Sequence, residues 1–299
     1  MRTKNKWLSL GASTALALTL ISWNWQSLLV WATLVQPRAN PLPAFDAVKA
    51  QRLSVELRAE LERELFRELW MWKTESRRYQ MPNGLKEREQ RWRAMADEGY
   101  ELAHLTLQVF EPGVGRTHNP LPVLERLDEL ARQGDAGAMC LYGGIAFQLP
   151  IWAVDWSPQW KQSREWMEKG AALRHPQCLI AFGGRLTAGV DGYPLQVKRG
   201  SEMLFEAIRK GYIHGAEELW VYFVQQGLDK PINRQLEYCW SYHAAKNRFS
   251  DADLLLKVYS HNGAPSEQRP ALARELDKFR QWSPSIEECI ELNQKTLGK

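Results

Sequence analysis

The side chains that most often carry chemistry are scattered along this chain of 299 residues, which contains six histidines and four cysteines. Hydrolases need a nucleophile and a base held together in a supporting frame. The sequence contains no G-x-S-x-G nucleophile elbow, no H-E-x-x-H zinc motif and no GxxxxGK(S/T) phosphate loop. We therefore expect no catalytic residue, no cofactor and no small-molecule substrate. We expect the histidines to lie at the surface or beside helix caps.

The cysteines do not predict a metal site either. Cys140, Cys178, Cys239 and Cys289 are separated by 38, 61 and 50 residues, without a CxxC pair or a Cys/His ligand cluster. An oxidising compartment would permit disulfides. For Cys140 and Cys178 we expect buried, unpaired side chains instead, because both fall within the repeated helices described below.

The charge distribution argues against a nucleic-acid-binding protein. The formal net charge is +4, and Arg2, Lys4 and Lys6 contribute three of these charges, which leaves about +1 for residues 7–299. Proteins that bind nucleic acids concentrate Lys and Arg on one face of a folded domain. The excess here lies in the first six residues, so we expect no nucleic-acid partner.

Those three cations precede Trp7–Val35, a run of 29 residues without a charged side chain. About 20 apolar residues span a bilayer, so residues 1–37 are predicted to form a signal-anchor or transmembrane helix in the inner membrane. An uncleaved anchor fits better than a cleaved signal peptide because the run is long, contains four tryptophans and lacks a clear small-x-small cleavage site. In both cases the bulk of the chain faces the periplasm.

Residues 38–87 are predicted to form a linker followed by amphipathic helices. Pro41 and Pro43 favour an extended start. Apolar residues then recur at steps of mostly four between Val48 and Trp72, which is typical of an amphipathic helix. We expect this helix to cap the first repeat of an array, and we expect residues 263–299 to form C-terminal capping helices.

Between these flanks the sequence repeats. The residue that closes a first helix recurs at intervals of 35, 40, 37 and 37 residues: Gly99, Gly134, Arg174, Gly211 and Arg248. A small residue follows four positions later, and a large apolar residue follows after another four. Glycine can end a helix in a left-handed cap, and the small residue lets a second helix pack closely on the first. The period predicts stacked helical hairpins, because one hairpin cannot bury its apolar face alone.

These units resemble the Sel-1-like repeat family, a relative of the tetratricopeptide repeats. The likeness is strongest in 164–189 and 204–227, where Trp166 and the KGAA run that begins at Lys169 match the family pattern. The resemblance covers residues 88–262. It implies an all-α fold, a right-handed α-solenoid of stacked helix-turn-helix repeats.

Aromatic side chains are the candidates for partner binding. The stretch 147–160 interrupts the repeats and carries three tryptophans with two prolines. An aromatic, Pro-bounded loop can form a binding lip, although it can equally pack onto its neighbouring hairpins. We expect partner contacts at five aromatic residues: Trp152, Trp156, Trp160, Trp220 and Tyr222.

The predicted function is the binding of another protein, without enzymatic activity. Solenoids present extended binding surfaces and need no catalytic groups to do so. By analogy, the resemblance implies an immunity protein that covers the active-site mouth of a secreted type VI phospholipase toxin in the periplasm. The alternative is a cell-envelope scaffold or regulator that assembles cell-wall enzymes through its repeats.

Overall fold

The computed structural model describes residues 39, 41–42, 44–78, 82–114, 116–146, 157–225, 231–248 and 282–297. The predicted anchor in residues 1–37 lies outside these ranges, as do the expected helix after Arg248 and part of the expected C-terminal cap. None of the described helices is both long enough and apolar enough to cross a bilayer.

The described residues form an almost entirely helical protein, which confirms the all-α prediction. The helices are α1 (Ala47–Arg52), α2 (Val55–Arg78), α3 (Pro82–Asp97), α4 (Glu101–Val109), α5 (Leu121–Arg132), α6 (Ala136–Ala146), α7 (Ser157–Ala172), α8 (Pro176–Ala188), α9 (Val197–Arg209), α10 (Gly215–Gln225), α11 (Pro231–Arg248) and α12 (Ile286–Leu297). Four hairpins follow one another: α3–α4, α5–α6, α7–α8 and α9–α10. Their second helices contact each other in sequence, α4 with α6, α6 with α8 and α8 with α10.

A left-handed residue ends the first helix of each of these four hairpins. The backbone φ is +95° at Gly99, +98° at Gly134, +62° at Arg174 and +88° at Gly211. The left-handed residue donates its N–H to the carbonyl three positions earlier, and the next residue donates to the carbonyl five positions earlier. This is the Schellman arrangement. Four of the five turns predicted from the repeat are therefore confirmed. The fifth predicted turn residue, Arg248, is the last described residue of α11, and the residues that follow it lie outside the described ranges.

The positions after each turn form the core between hairpins. Ala103, Ala138 and Cys178 are fully buried, and Gly215 lies against Ile180 of the preceding hairpin. The large residues four positions further also lie in the core: Leu107, Tyr142, Phe182 and Leu219. The small-then-large pattern thus packs each second helix onto its neighbours, as the sequence predicted.

All four cysteines are paired, which corrects the expectation of unpaired side chains at Cys140 and Cys178. One disulfide joins Cys140 in α6 to Cys178 in α8, and the other joins Cys239 in α11 to Cys289 in α12. The second helices of neighbouring hairpins pack on each other. Two cysteines that lie 38 residues apart, about one repeat, therefore meet across that contact.

The amphipathic segment after the linker divides into two helices. Asp46 caps α1 and Ser54 caps α2 by accepting backbone hydrogen bonds. Leu65, Phe66 and Leu69 on α2 are buried. Helix α2 contacts α3, the first helix of the first hairpin, and it also reaches the turns of later hairpins.

A buried ion pair holds α2 against α3. Glu68 Oε2 accepts hydrogen bonds from Arg88 Nε at 3.1 Å and from Arg91 Nη2 at 2.8 Å. Burial raises the pKa of Glu68, but the hydrogen bonds and charges of the two arginines outweigh this effect and leave the pKa below its usual value. The carboxylate therefore remains ionised between the two helices.

A two-stranded ribbon between the first two hairpins departs from the helical pattern. Strand β1 (Phe110–Glu111) pairs antiparallel with β2 (Arg116–Thr117). The buried carboxylate of Glu111 lies 3.0 Å from His118 Nε2. The sequence did not predict this ribbon, because two residues per strand are too short to produce an alternating pattern.

Two glycines with open space for a side chain test the turn geometry. A Cβ added to Gly134 or to Gly144 would meet no atom within 4 Å, but Gly134 has a φ of +98° and Gly144 lies inside α6. Gly134→Ala should lower the free energy of unfolding by about 1 kcal/mol, because L residues resist the left-handed region. Gly144→Ala should raise it by about 0.5–1 kcal/mol, because glycine weakens a helix interior.

Urea unfolding of the full-length chain with its disulfides intact measures both changes. The two substitutions add the same methyl group and differ only in backbone conformation. Equal effects on the free energy of unfolding would contradict the left-handed turn at Gly134.

Candidate functional site

Helix α2 lies along the edge of the hairpins where their internal turns occur. We call this the turn edge, and it comprises residues 99–100, 134–135, 174–175 and 211–212. Three side chains of α2 reach all four turns: Arg58 lies 4.0 Å from Asp135, Glu62 contacts Tyr100 and His175, and Arg63 lies beside Gly211. One helix therefore bridges four hairpins.

Glu62 is the central polar residue of the turn edge. Its Oε1 lies 2.8 Å from His175 Nε2, and its Oε2 accepts a hydrogen bond of 3.3 Å from Tyr100 OH. The side chain of Glu62 is 19% exposed and that of His175 is 9% exposed. A carboxylate with so little access to water needs protein donors. These two contacts therefore fix α2 on the first and third hairpins.

The other ring nitrogen of His175 faces the Cys140–Cys178 disulfide. His175 Nδ1 lies 3.0 Å from Cys140 Sγ. Gly170 leaves room for the disulfide, because a Cβ at that position would overlap Cys178 Sγ. We call Glu62, Cys140, His175 and Cys178 the His175 cluster. Within the part of the chain that the structure describes, its two cysteines and its histidine are the only group of three metal-ligand side chains that converge.

Sequence reasoning missed this cluster for two reasons. Cys140 and Cys178 come from different repeats, and Glu62 comes from a helix before the repeats. Only the repeat period could have indicated part of it. His175 directly follows the left-handed Arg174, so it must lie at the same edge as the residues that follow the other left-handed turn residues.

The described histidines lie largely inside the protein, which corrects the expectation of surface positions, whereas His175, the N-cap residue of α8, lies beside a helix cap as expected. His104, His118, His214 and His243 are each less than a tenth exposed. Buried imidazoles need polar partners, and His214 Nε2 lies 2.7 Å from Gln177 Oε1 of the preceding hairpin. Burial is the main cause that lowers the pKa of His243. Partners from other hairpins cannot be read from local sequence, which is why the expectation was wrong.

The described connections between successive hairpins lie at the opposite edge, which we call the loop edge, and they comprise residues 110–114, 116–120 and 189–196. Of the aromatic residues predicted to contact a partner, Trp152 and Trp156 lie outside the described residues. Trp160 is half-buried near the start of α7 and packs on the core. Trp220, midway along α10, is only 5% exposed, and Tyr222 in the second half of that helix is half-buried. Among the three that the structure describes, Trp160 and Tyr222 therefore retain accessible surface.

The connection between α8 and α9 exposes apolar side chains at the loop edge. Val190 is 45% exposed and Leu195 is 64% exposed. The connection is anchored to α8, because Arg185 Nε donates a hydrogen bond of 3.0 Å to Asp191 Oδ2. Two exposed apolar side chains on an anchored connection form an accessible patch.

Two grooves open beside the N-terminal helices. The larger, of about 640 Å³, lies between α1 and the first two hairpins and is lined in part by Phe45, Tyr100 and Arg126. The smaller, of about 250 Å³, lies between α2 and the fourth turn and is lined in part by Arg63 and His214. Both linings are mainly polar, whereas small-molecule sites are mostly apolar.

Comparison with known proteins identifies no relative. No family model matches the chain, and no curated protein or solved structure matches it significantly. The resemblance to Sel-1-like repeats therefore depends on the residues quoted above, together with the four equivalent turns.

Burial changes the acidity of two tyrosines at the turn edge. Burial raises the pKa of Tyr100 well above its usual value, and the negative charge of Glu62 raises it further. The pKa of Tyr212 is raised by the same two causes. Both phenols therefore keep their protons under α2 at a pH where an exposed tyrosine loses its proton.

Alkaline pH should weaken the fold through these two tyrosines. An unfolded tyrosine ionises near pH 10, whereas Tyr100 and Tyr212 stay protonated in the folded chain. The unfolded state therefore binds fewer protons above that pH, and the free energy of unfolding falls as the pH rises. The slope is up to about 1.4 kcal/mol per pH unit for each such tyrosine.

Urea unfolding from about pH 8 to about pH 11 measures this slope. Tyr100→Phe should make the free energy of unfolding fall less steeply with pH, and Tyr222→Phe, at a half-buried position, should reduce this slope less. A slope that Tyr100→Phe leaves unchanged would contradict a buried phenol under α2.

Proposed function

We propose that the chain is a protein-binding α-solenoid without enzymatic activity, held in the inner membrane by its N-terminal segment and facing the periplasm. Within this class we propose an immunity protein that neutralises a phospholipase toxin delivered by type VI secretion. One observation carries the proposal. Helix α2 covers the turn edge of four packed hairpins, and apolar side chains remain exposed at the loop edge.

Repeated hairpins are well suited to binding a protein. Each hairpin adds a similar pair of helices, so a row of them offers a longer surface than a compact domain of equal size. Binding requires complementary shape and charge and no reaction. Four equivalent turns and a shared core support this architecture.

The two edges of the row differ in what they offer a partner. At the turn edge, α2 occupies much of the surface through Glu62 and its contacts. Apolar side chains are exposed there too, at Leu173 and on α1 and α2 at Val48, Val55 and Leu57, so the half-buried aromatic residues distinguish the loop edge. At the loop edge, Val190 and Leu195 are exposed and Tyr222 is half-buried. Apolar and aromatic side chains of this kind supply the core of most protein interfaces. We therefore assign the partner to the loop edge, where the predicted Trp160 also lies.

The periplasmic location is supported by two independent features. Arg2, Lys4 and Lys6 precede an uncharged run, the order expected of an exported, anchored chain. All four cysteines form disulfides, and disulfides persist in oxidising compartments such as the periplasm.

Inhibition by this protein would need no chemistry of its own. A phospholipase must bring its active-site mouth to a lipid surface, and a rigid row of helices over that mouth blocks access. A stable complex of this type buries about 1,600 Å² in total. Several neighbouring connections of the loop edge would supply such an area.

The direct test pairs the full-length chain with a type VI phospholipase encoded by a neighbouring gene. We expect a stable complex in detergent and loss of lipase activity on binding. We also expect cells that lack the chain to be killed by sister cells that secrete the enzyme. Absence of a complex, together with survival of the deletion strain, would overturn the immunity proposal. Co-purification with cell-wall enzymes instead would support the scaffold alternative.

Two exposed leucines provide a matched pair of variants for the binding surface. Leu195 lies at the loop edge, and Leu173, which is 55% exposed, lies beside the third turn. Leu195→Ser should weaken partner binding about tenfold, since loss of its buried apolar surface costs about 1.4 kcal/mol. Leu173→Ser should leave the dissociation constant unchanged. Weakening by Leu173→Ser alone would assign the partner to the turn edge.

A further inference from the structure

The His175 cluster brings together three side chains that are common zinc ligands. Cys140 Sγ, Cys178 Sγ and His175 Nδ1 lie within 4.8 Å of one another. We propose that these three residues bind one Zn²⁺ ion when the Cys140–Cys178 disulfide is reduced. Two cysteines and one histidine are a known zinc-ligand set that leaves the fourth tetrahedral position open. The site does not depend on the proposed partner protein.

Glu62 lies where a carboxylate would orient a metal-bound histidine. Metal-ligating histidines almost always donate their second ring N–H to a carboxylate, a carbonyl or water. His175 Nε2 lies 2.8 Å from Glu62 Oε1. That bond selects the tautomer in which Nδ1 carries the free lone pair, and Nδ1 is the nitrogen that lies 3.0 Å from Cys140 Sγ. The imidazole is therefore already aimed at the sulfur atoms.

The helix backbone beside the two sulfur atoms leaves room for them. A Cβ at Gly170 would overlap Cys178 Sγ and would lie 3.5 Å from Cys140 Sγ. Cys140 is 4% exposed and Cys178 is fully buried. Zinc-bound sulfurs lie about 2.3 Å from the ion, so the sulfurs need to separate only to about 3.7 Å in a tetrahedral site. Glycine at position 170 is what admits both sulfur atoms beside this helix.

The charge of the two thiolates favours Zn²⁺ over Cu⁺, another metal ion that prefers thiolate ligands. Two thiolates carry two negative charges, and Zn²⁺ balances both. Burial of an unbalanced charge is costly. A monovalent Cu⁺ ion would leave one net negative charge close to the carboxylate of Glu62. The cluster therefore favours the divalent ion.

Formation of the site couples a redox step to metal binding. A dithiol reductant supplies two electrons and two protons, breaks the S–S bond, and becomes a disulfide itself. Zn²⁺ then displaces the two thiol protons and forms two Zn–S bonds and one Zn–N bond. The disulfide and the zinc ion are thus alternative links between α6 and α8, and these helices stay joined in both redox states.

The test uses the full-length Cys239→Ser/Cys289→Ser variant in detergent, which retains only the two thiols of the cluster. After reduction with a water-soluble phosphine, titration against a chromogenic zinc chelator should give one Zn²⁺ per chain. The oxidised chain should not compete with the chelator. Co²⁺ in place of Zn²⁺ should produce a thiolate-to-cobalt absorption band, which requires no substitution in the site.

Variants at and beside the site complete the test. Cys140→Ser and His175→Asn should abolish competition with the chelator, and Glu62→Gln should weaken zinc binding about 10- to 100-fold. His214→Asn, also near the turn edge, should leave the affinity unchanged, and circular dichroism reports the fold of each variant. The proposal would be overturned if the reduced chain gave no cobalt band. It would also be overturned if Cys140→Ser and His175→Asn left the zinc affinity equal to that of the reduced parent chain.

Discussion

The left-handed residue at the turn of each hairpin is the constraint on which the rest of the structure depends. It ends the first helix, and it places the next residue at the same edge in all four hairpins. The second helix therefore starts in a fixed register. The small residue four positions on then meets the first helix, and the large one fills the space between hairpins. A single helix can contact four turns only because those turns are equivalent, and α2 does so through Glu62 and its neighbours.

This arrangement gives the protein two different edges. Helix α2 covers much of the turn edge, with Tyr100 and His175 beneath it in contact with its Glu62 and the Cys140–Cys178 bond behind the imidazole. The loop edge has no such covering helix among the described residues, and it carries exposed apolar side chains at Val190 and Leu195. The buried cluster adds a disulfide with an imidazole beside it.

Local features of the sequence predicted the fold, but they did not predict the long-range contacts. The turn at Arg174 was predicted from the period, although arginine is an unusual left-handed residue, because its neighbours keep the spacing of the glycine turns. The disulfide between Cys140 and Cys178 was missed, because the period gives the repeat but not which faces of α6 and α8 meet. The bridge from Glu62 to His175 spans 113 residues, and nothing local to either residue indicates it. Histidine burial was missed for the same reason.

We propose that a protein partner engages the loop edge while α2 remains on the turn edge. Hydrogen exchange of the full-length chain, with and without the proposed phospholipase, tests this most directly. The account predicts new protection at residues 189–196 and in the second half of α10, with no change at residues 99–100, 134–135 and 174–175. Protection confined to those turns, or release of α2 on binding, would contradict it.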